Sequence, residues 1–131
     1  MPKWYAVHLK TKDVVKTASW YMKFGLKHRE EDTKRGSHTI KLDIDGLPLV
    51  ITQDPQAESM PGIPSSQFLG IEHLGISLED FDSQVERLRE EGVEFFPESR
   101  MNESPGERVA FVKAPDGVRL ELTDAPWKWP Q

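Results

Sequence analysis

Two stretches of the second half decide how this chain reads: His73-Leu74-Gly75-Ile76-Ser77-Leu78-Glu79-Asp80 and Ala114-Pro115-Asp116-Gly117-Val118-Arg119-Leu120-Glu121-Leu122. The first alternates with the period of a strand and runs into Asp80, which can head a helix. The second is a turn at Asp116-Gly117 followed by another alternating strand. His73 opens one strand and Glu121 stands midway along the other, at positions that share a face if both strands line one sheet. Imidazole and carboxylate are both good ligands for a divalent ion, so the pair marks a candidate metal site.

Working outward, the two halves repeat one order of elements. In the first half, alternation over 7–13 leads to Asp13, which can cap a helix over 14–24 stopped by Gly25. Strands are predicted over 26–31, 38–44 and 47–53, the last beyond an Asp45-Gly46 turn. In the second half Asp80 heads a helix over 81–91, with Phe81, Val85 and Leu88 at helical spacing and Gly92 as its stop. Strands follow over 93–96, 108–113 and 118–124. Between the halves, residues 54–66 are rich in turn formers and read as a linker. The expected class is α+β, one domain made of a module at 4–53, a linker at 54–69, a second module at 70–124 and a tail at 125–131. One helix covers one face of each small sheet. Pairing two modules therefore buries the other face or encloses a cavity there, a favoured place for a small ligand.

Composition narrows the function classes. The net charge is −5 with no long block of one sign, so the basic stripe that nucleic-acid binding requires is missing. The densest charged run, 27–36, mixes signs and ends in Gly36, which suits an exposed hairpin or strand edge. No apolar run approaches the length of a bilayer span, so no membrane partner is expected. The first residues, Met1-Pro2-Lys3-Trp4-Tyr5, lack a secretory layout, and the expected location is the cytoplasm. The absence of cysteine removes disulfides, thiolate catalysis and Cys-zinc sites.

In this module order, and in the segments HLGISLEDFD and VAFVKAPDGVRLEL, the chain resembles the vicinal oxygen chelate superfamily of glyoxalases, bleomycin-resistance proteins and ring-cleaving dioxygenases. The resemblance runs from about Trp4 to Asp124 and is stronger in the second half. It implies paired βαβββ modules forming a curved mixed sheet around a metal or ligand cavity, and a homodimer, often with modules exchanged. It also implies metal ligands on the first and last strands of each module. His73 and Glu121 match two such positions. Aligning Asp45-Gly46 with Asp116-Gly117 puts Val50, which cannot bind a metal, at the position of Glu121. Aligning Asp13 with Asp80 puts Ala6 opposite His73. His8 lies two residues further along on the same face, roughly 6.5 Å away, so a slip or bulge is needed to bring it into place.

With His8 taken as the third ligand, the resemblance implies a site of His8, His73 and Glu121 for a divalent ion. Two histidines and a carboxylate favour Fe(II), with Mn, Ni or Zn as alternatives, and dioxygenase-type chemistry on a small oxygen-rich substrate. A glyoxalase-like lyase or isomerase would also need a base near the ion. Val50 holds the expected place of that base, leaving Lys10, Lys41 or Asp43 as substitutes. The reading from another class is a metal-free binder of a small molecule or antibiotic, as in bleomycin-resistance proteins. Trp127 and Trp129 would then stack on a planar ligand, or pack at a dimer interface. Of the other residues, His28, His38, Glu72, Glu79 and Glu91 are expected to face water. Trp20, Tyr21 and Phe24 are expected in the core.

Overall fold

The structure is a computed structural model, and it describes residues 1–58 and 69–126. Trp127, Trp129 and most of the expected linker lie outside the described residues. The described chain falls into two compact units, one in each half.

The first unit runs β1 (Val7–Thr11), α1 (Val14–Met22), β2 (Lys27–Asp32), β3 (Thr39–Ile44) and β4 (Leu47–Gln53). Asp13 caps α1 as expected, accepting a hydrogen bond from the Lys16 amide at 3.1 Å. The helix ends two residues earlier than its apolar pattern, and Lys23 and Phe24 form a turn that closes on Gly25 at φ +94°. Val14, Thr17, Ala18 and Tyr21 recur every three or four residues and form its buried stripe. The strand order is β1-β4-β3-β2, with β1 parallel to β4 and the other pairs antiparallel. On β3 and β4, against which α1 packs, Ile40, Leu42, Leu49 and Ile51 are buried. The opposite face carries Thr39, Lys41, Pro48, Val50 and Thr52, as period-two alternation requires. The sheet ends on β2, whose sequence KHREED is almost wholly exposed. A charged edge of this kind resists pairing with another chain.

The second unit repeats the plan: β5 (Leu74–Ser77), α2 (Phe81–Glu90), β6 (Phe95–Ser99), β7 (Val109–Lys113) and β8 (Arg119–Thr123), in the order β5-β8-β7-β6. Phe81, Val85 and Leu88 are the buried residues of α2, as their spacing predicts. Asp80 begins the helix but does not cap it with its side chain. It adopts a left-handed conformation (φ 50°, ψ 48°), and its carbonyl accepts from Ser83 and Gln84 instead. Strand β6 begins later than its sequence suggests, and its pairing with β7 shifts between Phe95 and Ser99. Pro97 within it lacks an amide proton, which only an edge strand or a bulge tolerates. Ile76, Ala110, Val112, Leu120 and Leu122 form the buried face of this sheet.

The loop before β7 is held by one carboxylate. Asp124 accepts from the Gly106 amide at 2.8 Å and the Arg108 amide at 2.9 Å, and Arg108 also pairs with Asp82. These amides, Gly106 foremost, hold Asp124 below the usual carboxylate range.

Leu122 is fully buried on one of the two inner strands of its sheet. Leu122→Ala is expected to lower unfolding free energy by about 2–5 kcal/mol, measured by urea denaturation. Asp124 gives a pH signature with a definite sign. Its lowered native value contributes stability that is present above the ordinary aspartate value of about 3.9 and is lost as pH falls through the native one. Asp124→Asn should therefore be less stable than the parent chain at neutral pH, and the gap should narrow in acid. A gap independent of pH in denaturant titrations would contradict this account of the loop.

Candidate functional site

The parallel ladder of β5 and β8 sets Gly75 directly opposite Glu121. His73 lies two residues before Gly75, just ahead of β5, and so points to the same side of the sheet. Its Nε2 stands 2.6 Å from Oε2 of Glu121, and both side chains are about one quarter exposed (27% and 23%). The expectation that these two residues share a face therefore holds in the folded unit. The other ring nitrogen, Nδ1, lies 3.0 Å from Oε1 of Glu72. Glu72 was expected simply to face water. It is exposed, yet it also fixes the orientation of the imidazole ring, as a carboxylate behind a metal-ligating histidine commonly does.

Phe111 on β7 sits directly across from Glu121. Its ring meets the His73 ring edge-on at 5.4 Å between centroids and forms an apolar wall beside the pair. Arg119, two residues before Glu121 on β8, stacks its guanidinium 3.9 Å from the centre of the Phe111 ring and 5.0 Å from that of Phe96. Arg119 was not singled out from the sequence. The available signal was its same-face spacing from Glu121 in an alternating strand.

His8 lies in the other unit, and its local register is clear. The β1–β4 ladder runs without a shift from Val7 opposite Leu49 to Thr11 opposite Gln53, and it places His8 opposite Val50. His8 thus holds the position that Gly75 holds in the second unit, and Ala6 holds that of His73. No bulge in the ladder moves His8 back by the two residues that separate these positions. Its ring leans the other way, with Nε2 at 2.8 Å from Oγ1 of Thr52. The substitute bases are all engaged in ion pairs: Lys10 with Asp54 at 3.6 Å, Lys41 with Glu30 at 3.4 Å and Asp43 with Arg29 at 3.2 Å.

His28 and His38 are partly exposed but not merely solvated. Their Nε2 atoms lie 3.0 and 2.6 Å from the two oxygens of Glu31. Hydrogen bonding from His38, then His28, holds Glu31 below the usual carboxylate range. Among the described residues, no group of three or more His, Asp or Glu side chains gathers in a geometry that could hold a metal. A groove of about 850 Å³ opens at the start of α2, lined by Ser77, Asp80, Ser83, Arg108 and Asp124 among others. It does not include His73 or Glu121.

Their chemistry fits a divalent ion as two of its ligands. Two ligands at right angles on one ion, each about 2.1 Å from it, stand roughly 3 Å apart. The His73–Glu121 pair would need to open by only a few tenths of an ångström to reach that spacing. Ala6 and Val50 offer no such pair in the first unit.

The glyoxalase/bleomycin resistance protein/dioxygenase superfamily model matches residues 5–122. The chain belongs to that superfamily. Among relatives, it is 29% identical over 99 residues to the uncharacterised protein YwkD of Bacillus subtilis (strain 168), covering 72% of this chain and 70% of that one. Among solved structures, a glyoxalase family protein from Enterococcus faecalis matches with a TM-score of 0.73 and 25% identity, over 94% of this chain and 98% of the other. A mutant of the fosfomycin resistance protein FosX from Listeria monocytogenes, complexed with Mn(II) and 1S,2S-dihydroxypropylphosphonic acid, matches with a TM-score of 0.72. It is 20% identical, over 96% of this chain and 94% of the other, a likeness of fold. The paired βαβββ modules are thus those of the glyoxalase-like fold. No helix among the described residues is long and apolar enough to cross a membrane.

Proposed function

We propose that the chain is a metal-dependent enzyme of the vicinal oxygen chelate kind, acting on a small oxygen-rich metabolite, with His73 and Glu121 as ligands of a divalent ion. The observation that carries the reading is the convergence of Nε2 of His73 and Oε2 of Glu121 at 2.6 Å on two adjacent parallel strands. The Mn(II) of the FosX complex supports a divalent ion in this family, and the ligand types admit Fe(II), Mn, Ni or Zn. When bound, such an ion supplies a Lewis acid and a template that holds adjacent substrate oxygens.

The residues around it have separate tasks. Glu72 accepts from Nδ1–H of His73, which leaves the Nε2 lone pair for a ligand. Glu121 contributes negative charge, and Phe111 excludes water from one side of the imidazole. His8 enters this reading as the third ligand, and to serve it must give up its hydrogen bond to Thr52 and also shift from a register position two residues beyond the one equivalent to His73. The chemistry leans to an Fe(II) dioxygenase rather than an isomerase or lyase. Proton abstraction needs a base beside the ion. Val50 offers none, and Lys10, Lys41 and Asp43 are engaged elsewhere.

A second reading, a metal-free binder of a small molecule or antibiotic, is favoured by one observation. The first unit has Ala6 and Val50 where the second has His73 and Glu121, so the ligand pair is not duplicated.

Metal analysis of untagged protein purified anaerobically separates the two readings. The metal reading expects near-stoichiometric iron or another divalent ion by plasma mass spectrometry. In Glu121→Gln that ion should be lost while circular dichroism stays unchanged, because an amide is a poorer ligand than a carboxylate. Protein that carries no metal and takes none up on titration belongs to the second reading. For His8→Ala, the three-ligand site predicts loss of metal affinity and of oxygen uptake with catechol-like substrates. Unchanged affinity and turnover would assign His8 to a wall residue bonded to Thr52.

A further inference from the structure

We propose that Arg119 is an anion anchor beside His73 and Glu121, so that the molecule bound there carries a carboxylate or phosphoryl group. The proposal deepens the reading above and rests on that face of the second sheet being the ligand site. Only 8% of Arg119 is exposed. Its Nε and Nη1 are buried and make no hydrogen bond among the described residues. The nearest carboxylate oxygen, Oε1 of Glu98, is 3.6 Å from Nη1 and belongs to a side chain that is 43% exposed. That distance is an ion pair at the surface edge, not a hydrogen bond.

A buried guanidinium with unspent donors is costly, and folded proteins seldom retain one at a purely structural position. The first unit shows the inexpensive alternative. Pro48, three residues after Asp45 as Arg119 is after Asp116, fills the equivalent place. The two phenyl rings explain how the charge is held. The ring centres of Phe111 and Phe96 lie 3.9 and 5.0 Å from the guanidinium carbon, and such contacts hold the charge without using its N–H donors. Nε and Nη1 are closed to solvent, so an oxyanion reaches them by displacing the exposed Glu98 side chain, and Arg119 then has little rotamer freedom left to lose.

Phe111 also ties the anchor to the proposed metal ligands, since the same ring meets His73 edge-on. A molecule with its anionic group on Arg119 thus has its remaining oxygens beside the Nε2–Oε2 pair. Lys113, opposite Arg119 on β7, adds a second cation 5.4 Å from the Phe96 ring. It is half-exposed and shared with Glu94 at 3.7 Å. The substrate class is therefore a small acid bearing further oxygens, in preference to a neutral catechol or dicarbonyl.

The test uses the full chain, treated with chelator so that the result does not depend on a metal. Malonate and inorganic phosphate serve as probes, read by calorimetry and by the arginine Nε–H resonances. At least one probe should bind and shift the Nε–H resonance that disappears in Arg119→Lys. Arg119→Met should weaken binding about tenfold or more. Arg119→Lys should fall between, keeping the charge but losing the planar donors. A parent chain that binds neither probe, or an Arg119→Met protein that binds as tightly as the parent, overturns the proposal. Should Arg119→Met fail to fold, the Nε–H shift and Arg119→Lys decide. Lysine binding as well as arginine, with no Nε–H shift in the parent, would reduce Arg119 to a clamp between two rings. Binding to chelated protein that never acquires metal would leave the anchor standing and remove the metal reading.

Discussion

The parallel pairing of β8 with β5 is the constraint on which the second unit's chemistry depends. Two parallel neighbours cannot be joined by a tight turn, so the chain must cross over between them. Here α2, β6 and β7 make that crossing, and the last strand returns beside the first. The register then fixes the rest. With Gly75 opposite Glu121, the carboxylate faces a position without a side chain, and His73 closes on it from one pleat away. A slip of one residue would turn Glu121 into the face now filled by Leu120 and Leu122 and expose those leucines. Burying an unpaired carboxylate there costs far more than the ladder gains. Hydrophobic burial on one side of β8 thus sets the polar chemistry on the other.

Comparing the units position by position shows where duplication stopped being symmetric. His73, Glu121, Phe111 and Arg119 correspond to Ala6, Val50, Lys41 and Pro48, by equal offsets from the Asp-Gly turns and by the same cross-strand partners. The buried face stays apolar in both units, with Ala110 and Val112 where the first has Ile40 and Leu42, and the opposite face differs in every one of these four places. The packing face has one requirement, apolar volume, and either sequence meets it. The other face is free of that requirement, and only the second unit carries an imidazole–carboxylate pair there.

This division also explains what the sequence reveals. Asp13 acts through its own side chain, and Gly25, Asp45-Gly46 and Gly92 through their own backbone; the structure places them where local rules put them. The shared face of His73 and Glu121 follows from strand periodicity once the two strands line one sheet. Features that depend on neighbours distant in sequence were not legible. Glu72 looks like any exposed acid until the direction of the His73 ring is known. The β6 boundary moves because Pro97 requires an irregular edge, and Asp80 takes a left-handed turn in place of a side-chain cap. Arg119 reads as one more polar residue in an alternating strand until Phe96 and Phe111 are seen against its guanidinium.

The most informative absence of a contact lies between Arg119 and Glu121. They sit on one face of one strand, with Cα atoms about 7 Å apart, close enough for long side chains of opposite charge to meet. Joined to each other, they would form a self-satisfied ion pair with nothing left to offer a third party. Instead each is drawn aside. Glu121 closes on His73 at 2.6 Å, and Arg119 stacks on Phe111 at 3.9 Å. Phe111 stands directly across from Glu121 and draws the guanidinium over its ring. Phenylalanine at this one position therefore separates the two charges that would otherwise neutralise each other. A carboxylate–imidazole pair suited to a cation and a guanidinium suited to an anion can then lie side by side on a single strand.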